Sequence, residues 1–187
     1  MARWDPDAEG RLRAAALELF HQHGFENVTA AQIAEQAGLA RRSFFRYFPD
    51  KREVLFAGSE QLPGAIADAF AAVAPDVAPW PTALAALETV GALLVEHATD
   101  SVARRDIIQA SPELQERERT KSNAIATAIQ AALEQRAVPA TDAILLAQIG
   151  TAVFQQAFTC WVDQTGQQPI ESCLAAAAEQ LQRLVRI

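Results

Sequence analysis

Apolar residues recur three or four positions apart along most of the chain, the period of helices that turn one face inward. Leu12, Ala16, Leu19 and Phe20 mark the first such helix, which Asp5-Pro6 starts with proline at N1 and which runs through His23. Ile33, Ala34 and Ala37 form the inner face of a second helix; Phe44 and Phe48, four apart, form that of a third, about Ala40 to Phe48. A fourth helix is expected from Lys51 to about Val73, carrying Val54, Leu55, Leu62, Ile66 and Phe70, with a kink or break at Pro63-Gly64. Pro75 to Pro81 (PDVAPWP) reads as a proline-rich loop in which Trp80 is packed. Leu84, Leu87, Val90, Leu93 and Leu94 share one side of a fifth helix, Thr82 to about Ala98, and a short sixth lies around Val102 to Gln109. Ser111-Pro112 starts a seventh that reaches Arg136, with Leu114, Ile125, Ile129 and Leu133 inward and a first half, ELQERERTK, that reads as a solvated charged face.

The last two helices differ in kind. From Asp142 to Val162 the sequence is apolar on nearly every side, which a surface helix of a monomer cannot be, so it must bury a second face. The closing helix, Ile170 to about Val185, places Leu174, Ala178, Leu181 and Leu184 or Val185 at three-to-four spacing. Together, at about 142–162 and 170–185, they read as half of a four-helix bundle completed by a second subunit; the alternative is that the eighth helix is the central helix of a monomer. The fold class expected is all-α with about nine helices, divided into an N-terminal three-helix domain, residues 1–50, and a C-terminal helical domain, residues 51–187.

Local signals fix the second and third helices as a helix-turn-helix. Thr29 and Gln32 form a T-x-x-Q capping box, with Val28 and Ile33 as a hydrophobic staple. Gly38 supplies the left-handed residue that ends the second helix, followed by Leu39 as the apolar contact; Gly24-Phe25 closes the first helix in the same manner. Two short helices joined by such a turn are a DNA-reading unit. The third helix then presents Arg41, Arg42, Ser43, Phe45, Arg46 and Tyr47 on or near its outer face. Arginine offers the forked donors that pair with guanine O6 and N7, and the N-terminal residues of a recognition helix meet base edges, so Arg41 and Arg42 are the expected base readers. Thr29, Tyr47 and Lys51 suit phosphate, Lys51 because it sits in the first turn of a helix capped by Asp50, where an anionic partner explains it better than helix stability does.

The chain of 187 residues has half of its positions hydrophobic and few glycines, enough for a sizeable core. No run of apolar residues reaches membrane-spanning length and MARWDPDAEG lacks the apolar segment of a signal peptide, so a cytoplasmic protein without membrane contact is expected. Cys160 and Cys173 have no C-x-x-C spacing and read as small core residues; His21 and His23, two apart, share no helix face. The net charge of −7 becomes intelligible when divided: residues 1–52 carry 8 Lys+Arg against 7 Asp+Glu, residues 53–187 carry 8 against 16, and residues 38–52 carry 5 against 1. The local basic patch, not the whole chain, faces DNA.

The stretch ALELFHQHGFENVTAAQIAEQAGLARRSFFRYFPDKREVLF, Ala16 to Phe56, resembles the N-terminal domain of TetR-family transcriptional regulators: a helix ending G-F, then T-x-x-x-I-A, A-G and F-x-x-F-x-x-K. It departs at Phe45, where the family usually has Tyr, which leaves a phosphate contact without its hydroxyl. The resemblance covers about the first third of the chain and implies a ligand-responsive repressor that binds a palindromic site on double-stranded DNA as a homodimer. It also implies a small-molecule pocket among the fourth to eighth helices, for which His97, Arg104, Arg105, Asn123, Gln155 and Gln156 are the candidate polar points, and a fourth helix that acts as lever. RRDIIQASPELQERERTKSNAIATAIQAAL, with Phe158 and Trp161, resembles the C-terminal domain of TetR regulators that bind acyl-CoA-like ligands, whose anionic group Arg104 and Arg105 would meet; equally the two arginines cap or pair with neighbouring helices. No cofactor and no metal site is expected. No G-x-S-x-G, H-E-x-x-H or glycine-rich phosphate loop appears, which argues against an enzyme. An architectural DNA protein without a ligand, or a helical ligand-binding protein with no DNA role, are the alternatives.

Overall fold

The computed structural model describes residues 7–96, 98 and 100–185. Among these residues the chain forms nine α-helices and no strand: α1 Ala8–His23, α2 Ala30–Gln36, α3 Arg41–Tyr47, α4 Leu62–Ala72, α5 Pro79–Glu96, α6 Ser101–Ala110, α7 Pro112–Gln135, α8 Ala140–Asp163 and α9 Ile170–Val185. The expected start at Asp5-Pro6 lies outside the described residues. Two compact units divide the chain, one within Met1–Ser59 and Ala103–Glu118, the other within Glu60–Val102 and Arg119–Ile187. The first therefore includes a segment that a division at residue 50 leaves to the second.

In the first unit Leu12, Phe20, Ile33, Phe44, Phe56 and Leu114 share one core. The turn after α2 is a Schellman motif: Leu39 N–H donates to the Ala34 carbonyl at 2.8 Å and Gly38 N–H to the Glu35 carbonyl at 2.9 Å, with Gly38 at φ 68°. A continuous fourth helix from Lys51 is not formed. Asp50 does cap, accepting from the N–H of Arg52 at 2.8 Å and of Glu53 at 3.3 Å, but only a 3-10 turn, Glu53–Leu55, follows. Gly58 then takes φ 82°, a second 3-10 turn covers Ser59–Gln61, and α4 begins at Leu62. Pro63 explains that start: its ring clashes with a carbonyl four residues back in a helix interior but is tolerated in a first turn. So the break precedes Pro63-Gly64 and does not fall on it.

In the second unit Ile66, Phe70, Leu87, Ile129, Leu133, Phe154 and Leu174 are central to the core. The expected Pro75–Pro81 loop is shorter, because Pro79, Trp80 and Pro81 occupy the first turn of α5, where missing N–H groups cost nothing. Trp80 packs against the core, whereas Leu93, expected inward, is 50% exposed. The Arg136 guanidinium donates to the carbonyls of Phe70, Val73 and Ala74 at 3.2, 3.0 and 2.6 Å, closing the C-terminal end of α4. α8 is, by length and composition alone, long and apolar enough to cross a membrane, which corrects the expectation that no such stretch exists. It packs against α9 and α5, and Gly91 and Gly150 give room for Ile170 and Leu87.

α7 ends in the same motif as α2, with Val138 N–H on the Leu133 carbonyl at 3.1 Å and Ala137 N–H on the Glu134 carbonyl at 2.9 Å, but Ala137 holds the left-handed position at φ 61°. A Cβ in that region costs about 1–2 kcal/mol, partly offset by glycine's greater freedom in the unfolded chain. Ala137→Gly should therefore raise the unfolding free energy by roughly 0.5–1 kcal/mol and Gly38→Ala should lower it by about 1 kcal/mol in equilibrium denaturation. Equal effects of one sign at both positions would contradict this account of the two turns.

Candidate nucleic-acid interface

α2 is set by its N-cap. Gln32 N–H donates to Thr29 Oγ1 at 3.3 Å, Thr29 N–H donates to Gln32 Oε1 at 2.9 Å, and the Thr29 hydroxyl donates to the same oxygen at 2.8 Å. The capping box is thus formed as the spacing requires, and Thr29, though exposed, has its hydroxyl engaged inside it. The staple residues Val28 and Ile33 are both buried. Gln36 Nε2 donates to Glu18 Oε2 at 3.2 Å and ties α2 to α1.

α3 is anchored by Phe44 and Phe48, 0% and 3% exposed, with ring centroids 5.6 Å apart. That leaves Arg41, Arg42, Phe45 and Arg46 exposed, with Ser43 and Tyr47 half-buried at the edge, so the six residues expected on the outer face are brought together there. Arg41 lies 5.9 Å from the centroid of the Phe45 ring, and Phe45 in turn meets Phe44 edge-on at 5.4 Å. Arg46 covers the Tyr47 ring at 4.9 Å and donates to its hydroxyl at 2.9 Å. Arg42 makes no hydrogen bond or ion pair among the described residues, leaving its forked donors available to a base edge.

Lys51 requires a correction. Its ammonium donates to the carbonyls of Phe25 at 2.7 Å, Val28 at 3.0 Å and Glu26 at 3.4 Å, and lies 4.2 Å from the centroid of the Phe25 ring. An ammonium has three protons, and here they close the short 3-10 turn Phe25–Asn27 that joins α1 to α2. Structure, not a phosphate, explains a lysine beside the Asp50 cap. Arg52 pairs with Asp50 at 2.7 Å, and this hydrogen bond holds the Asp50 carboxyl below its usual range.

The arginine pair assigned to an anionic ligand is also placed otherwise. Arg104 donates to the Leu55 carbonyl and pairs with Glu118 at 3.1 Å, its guanidinium 5.1 Å from the Phe56 ring centroid; Arg105 contacts Asp106 at 3.4 Å. Both lie in the first unit. From the charged half of α7, Arg117 grips Glu53 with two bonds, 2.7 and 2.9 Å, and lies 4.9 Å from the Phe56 ring centroid, so that half is not merely solvated. The bond to Glu53 raises the Arg117 pKa. Of the remaining ligand candidates, Asn123, Gln155 and Gln156 are exposed; Gln155 donates to Ser122 Oγ at 2.6 Å, linking α8 to α7. His97 lies outside the described residues. Glu53, Phe56 and Arg117 had no local signal in the sequence, because each acquires its partner from more than forty residues away.

Residues 12–57 match the model of the bacterial regulatory proteins of the tetR family. That stretch carries the family's N-terminal domain. A protein of Mycobacterium tuberculosis named as MftR, a transcriptional regulator of mycofactocin biosynthesis, is 49% identical over 39 residues, 21% of this chain and 20% of that protein. Across most of the length the structure is similar to SmeT in complex with triclosan, at 15% identity, TM-score 0.62, covering 92% of this chain and 90% of the other. It is also similar to a transcriptional regulator FadR of Bacillus subtilis in complex with stearoyl-CoA, at 16% identity, TM-score 0.63, covering 92% and 96%. At these identities the likeness is one of fold.

Within the TetR-family head, Lys51→Met keeps the aliphatic stem and removes the donors. It should lower the unfolding free energy by about 1.5–3 kcal/mol, the range for hydrogen bonds to charged groups, while leaving the salt dependence of DNA binding by the folded protein unchanged. Unchanged stability with a salt slope smaller by about 1 would put Lys51 on a phosphate instead.

Proposed function

We propose that the chain is a sequence-specific, ligand-responsive transcriptional regulator of the cytoplasm, a repressor that binds a palindromic operator as a homodimer and leaves it when a small molecule occupies the second unit. The observation that carries the DNA part is the exposed α3 face, with Arg41 and Arg42 at its first two positions behind a turn fixed by Gly38. A helix-turn-helix places the N-terminal residues of its second helix against base edges. Arg41 and Arg42 read bases there; Arg46 and Tyr47 face the phosphates; and Phe45, lacking a hydroxyl, offers an apolar ring to a thymine methyl.

The homodimer rests on uncovered apolar surface. Ile144 and Leu145 on α8 are 48% and 61% exposed, and Leu184 and Val185 at the end of α9 are 75% and 64% exposed. Scattered apolar residues are ordinary on a monomer, but here they sit on the two helices that pack most extensively on one another, and a two-fold partner would complete a four-helix bundle. A dimer of readers presents two recognition helices to half-sites about one helical turn, or a multiple, apart.

Release by a small molecule is the reading supported by relatives of this fold solved with triclosan and with stearoyl-CoA. This chain's own residues give the acyl-CoA class no support, since Arg104 is bound to Leu55 and Glu118. An apolar ligand held mainly by the second unit's hydrophobic lining fits the composition of that unit better.

Arg42→Ala and Arg41→Ala should each cost about 1–3 kcal/mol in binding and relax preference at one base of each half-site, measured by selection from random DNA followed by competition titrations. A uniform loss across all sequences would make them phosphate contacts. Leu145→Glu should give a folded monomer in sedimentation equilibrium with DNA affinity reduced at least tenfold; a variant that stays dimeric would remove α8 from the interface.

A further inference from the structure

Cys160 on α8 and Cys173 on α9 are free thiols of two helices that pack on one another, and they share one apolar cluster. Cys173 is 1% exposed in the core cluster against which Cys160 packs, and Cys160 itself is half-buried. Gln164, one turn beyond Cys160, donates its Nε2 to Cys160 Sγ at 3.2 Å. Its other end is unusual: Gln164 Oε1 is buried and has no hydrogen-bond partner among the described residues. Leaving a buried amide oxygen unpaired costs about 1–3 kcal/mol. Burial, together with the neighbouring Cys160, pushes the Cys173 thiol up to about 11, so Cys173 stays protonated while its partner is attacked. Cys160 lies on the flank of α8, separated by most of a quarter turn from the line through Leu145 and Ala152, so covering that line leaves its sulfur open.

We propose that Cys160 and Cys173 are a redox modification site, in which a hydroperoxide oxidises Cys160 and Cys173 then closes an intrachain disulfide that staples α8 to α9. The Cys160 thiolate attacks the peroxide O–O bond, forming an S–O bond and releasing hydroxide, or alkoxide from an organic hydroperoxide. The Cys173 sulfur then attacks the sulfenic sulfur; the S–S bond forms, the S–O bond breaks, and the oxygen leaves as water with the Cys173 proton. Two electrons pass from the thiol pair to the peroxide. A dithiol reverses the step by exchange, so in a reducing compartment the pair rests open. The site is independent of DNA reading, and its test does not use DNA.

The full-length protein is exposed to stepwise hydrogen peroxide, excess thiols are labelled with maleimide, and intact mass and linked peptides are read. Both thiols should disappear together, with a net loss of two hydrogens, a Cys160–Cys173 linked peptide, and full recovery in dithiothreitol. Cys160→Ser should keep Cys173 reduced through the same series, and Cys173→Ser should accumulate a dimedone-reactive sulfenic acid on Cys160. Retention of both thiols, over-oxidation of Cys160 without a link, or links only between chains would overturn the proposal. Because both serine variants are isosteric, a loss of helical circular dichroism in either would be visible; the wild-type mass result stands without them.

Discussion

Two guanidiniums flank Phe56, that of Arg104 at 5.1 Å and that of Arg117 at 4.9 Å, and each is itself tied down, Arg104 by Leu55 and Glu118, Arg117 by Glu53. The ring is buried, and the charges that face it are paired, so neither the aromatic nor the arginines leave an unmet cost. Leu114 enters the same core from the start of α7. The reading unit therefore ends with a segment from 103–118, although the tetR-family match covers only residues 12–57. Part of the core that holds the recognition helix steady, Ile107, Ile108 and Leu114, lies outside the stretch that carries the family's motifs.

Inside that stretch the sequence was legible to the level of single hydrogen bonds. Thr29 and Gln32 form the box, Gly38 takes the left-handed position, and Phe44 and Phe48 turn inward, because each signal acts within four residues and no tertiary contact competes. The long helix drawn from Lys51 failed for a reason also written locally: Gly58 and Pro63 each favour an ending, and apolar periodicity continued across both. Lys51 and Arg117 were misread for a different reason, and of the two readings open for Arg104, an anionic ligand or a neighbouring helix, the structure has the second. A cation in a sequence declares its charge but not its partner, and the partners here, the Phe25, Val28 and Leu55 carbonyls and Glu53, arrive from distant positions. The polar points expected of a pocket were drawn from helix positions without knowing which side faced the core, and Asn123, Gln155 and Gln156 face outward.

The two units thus divide the chemistry. The first places Arg41, Arg42 and Arg46 on the exposed face of one short helix and engages Lys51, Arg52, Arg104 and Arg117 with internal carbonyls and carboxylates, which leaves a local basic face on an acidic chain. The second is an apolar helical body whose two last helices carry both uncovered leucines and a pair of free thiols.

Selection of bound fragments from random and genomic DNA at near-physiological salt, with the mass of the complex measured on the best fragment, tests the central claim most directly. A palindromic site occupied by two chains, or by four as two dimers, is the result this account predicts. Failure to enrich any sequence, by protein that is folded and has been stripped of bound small molecules by denaturation and refolding, would contradict it.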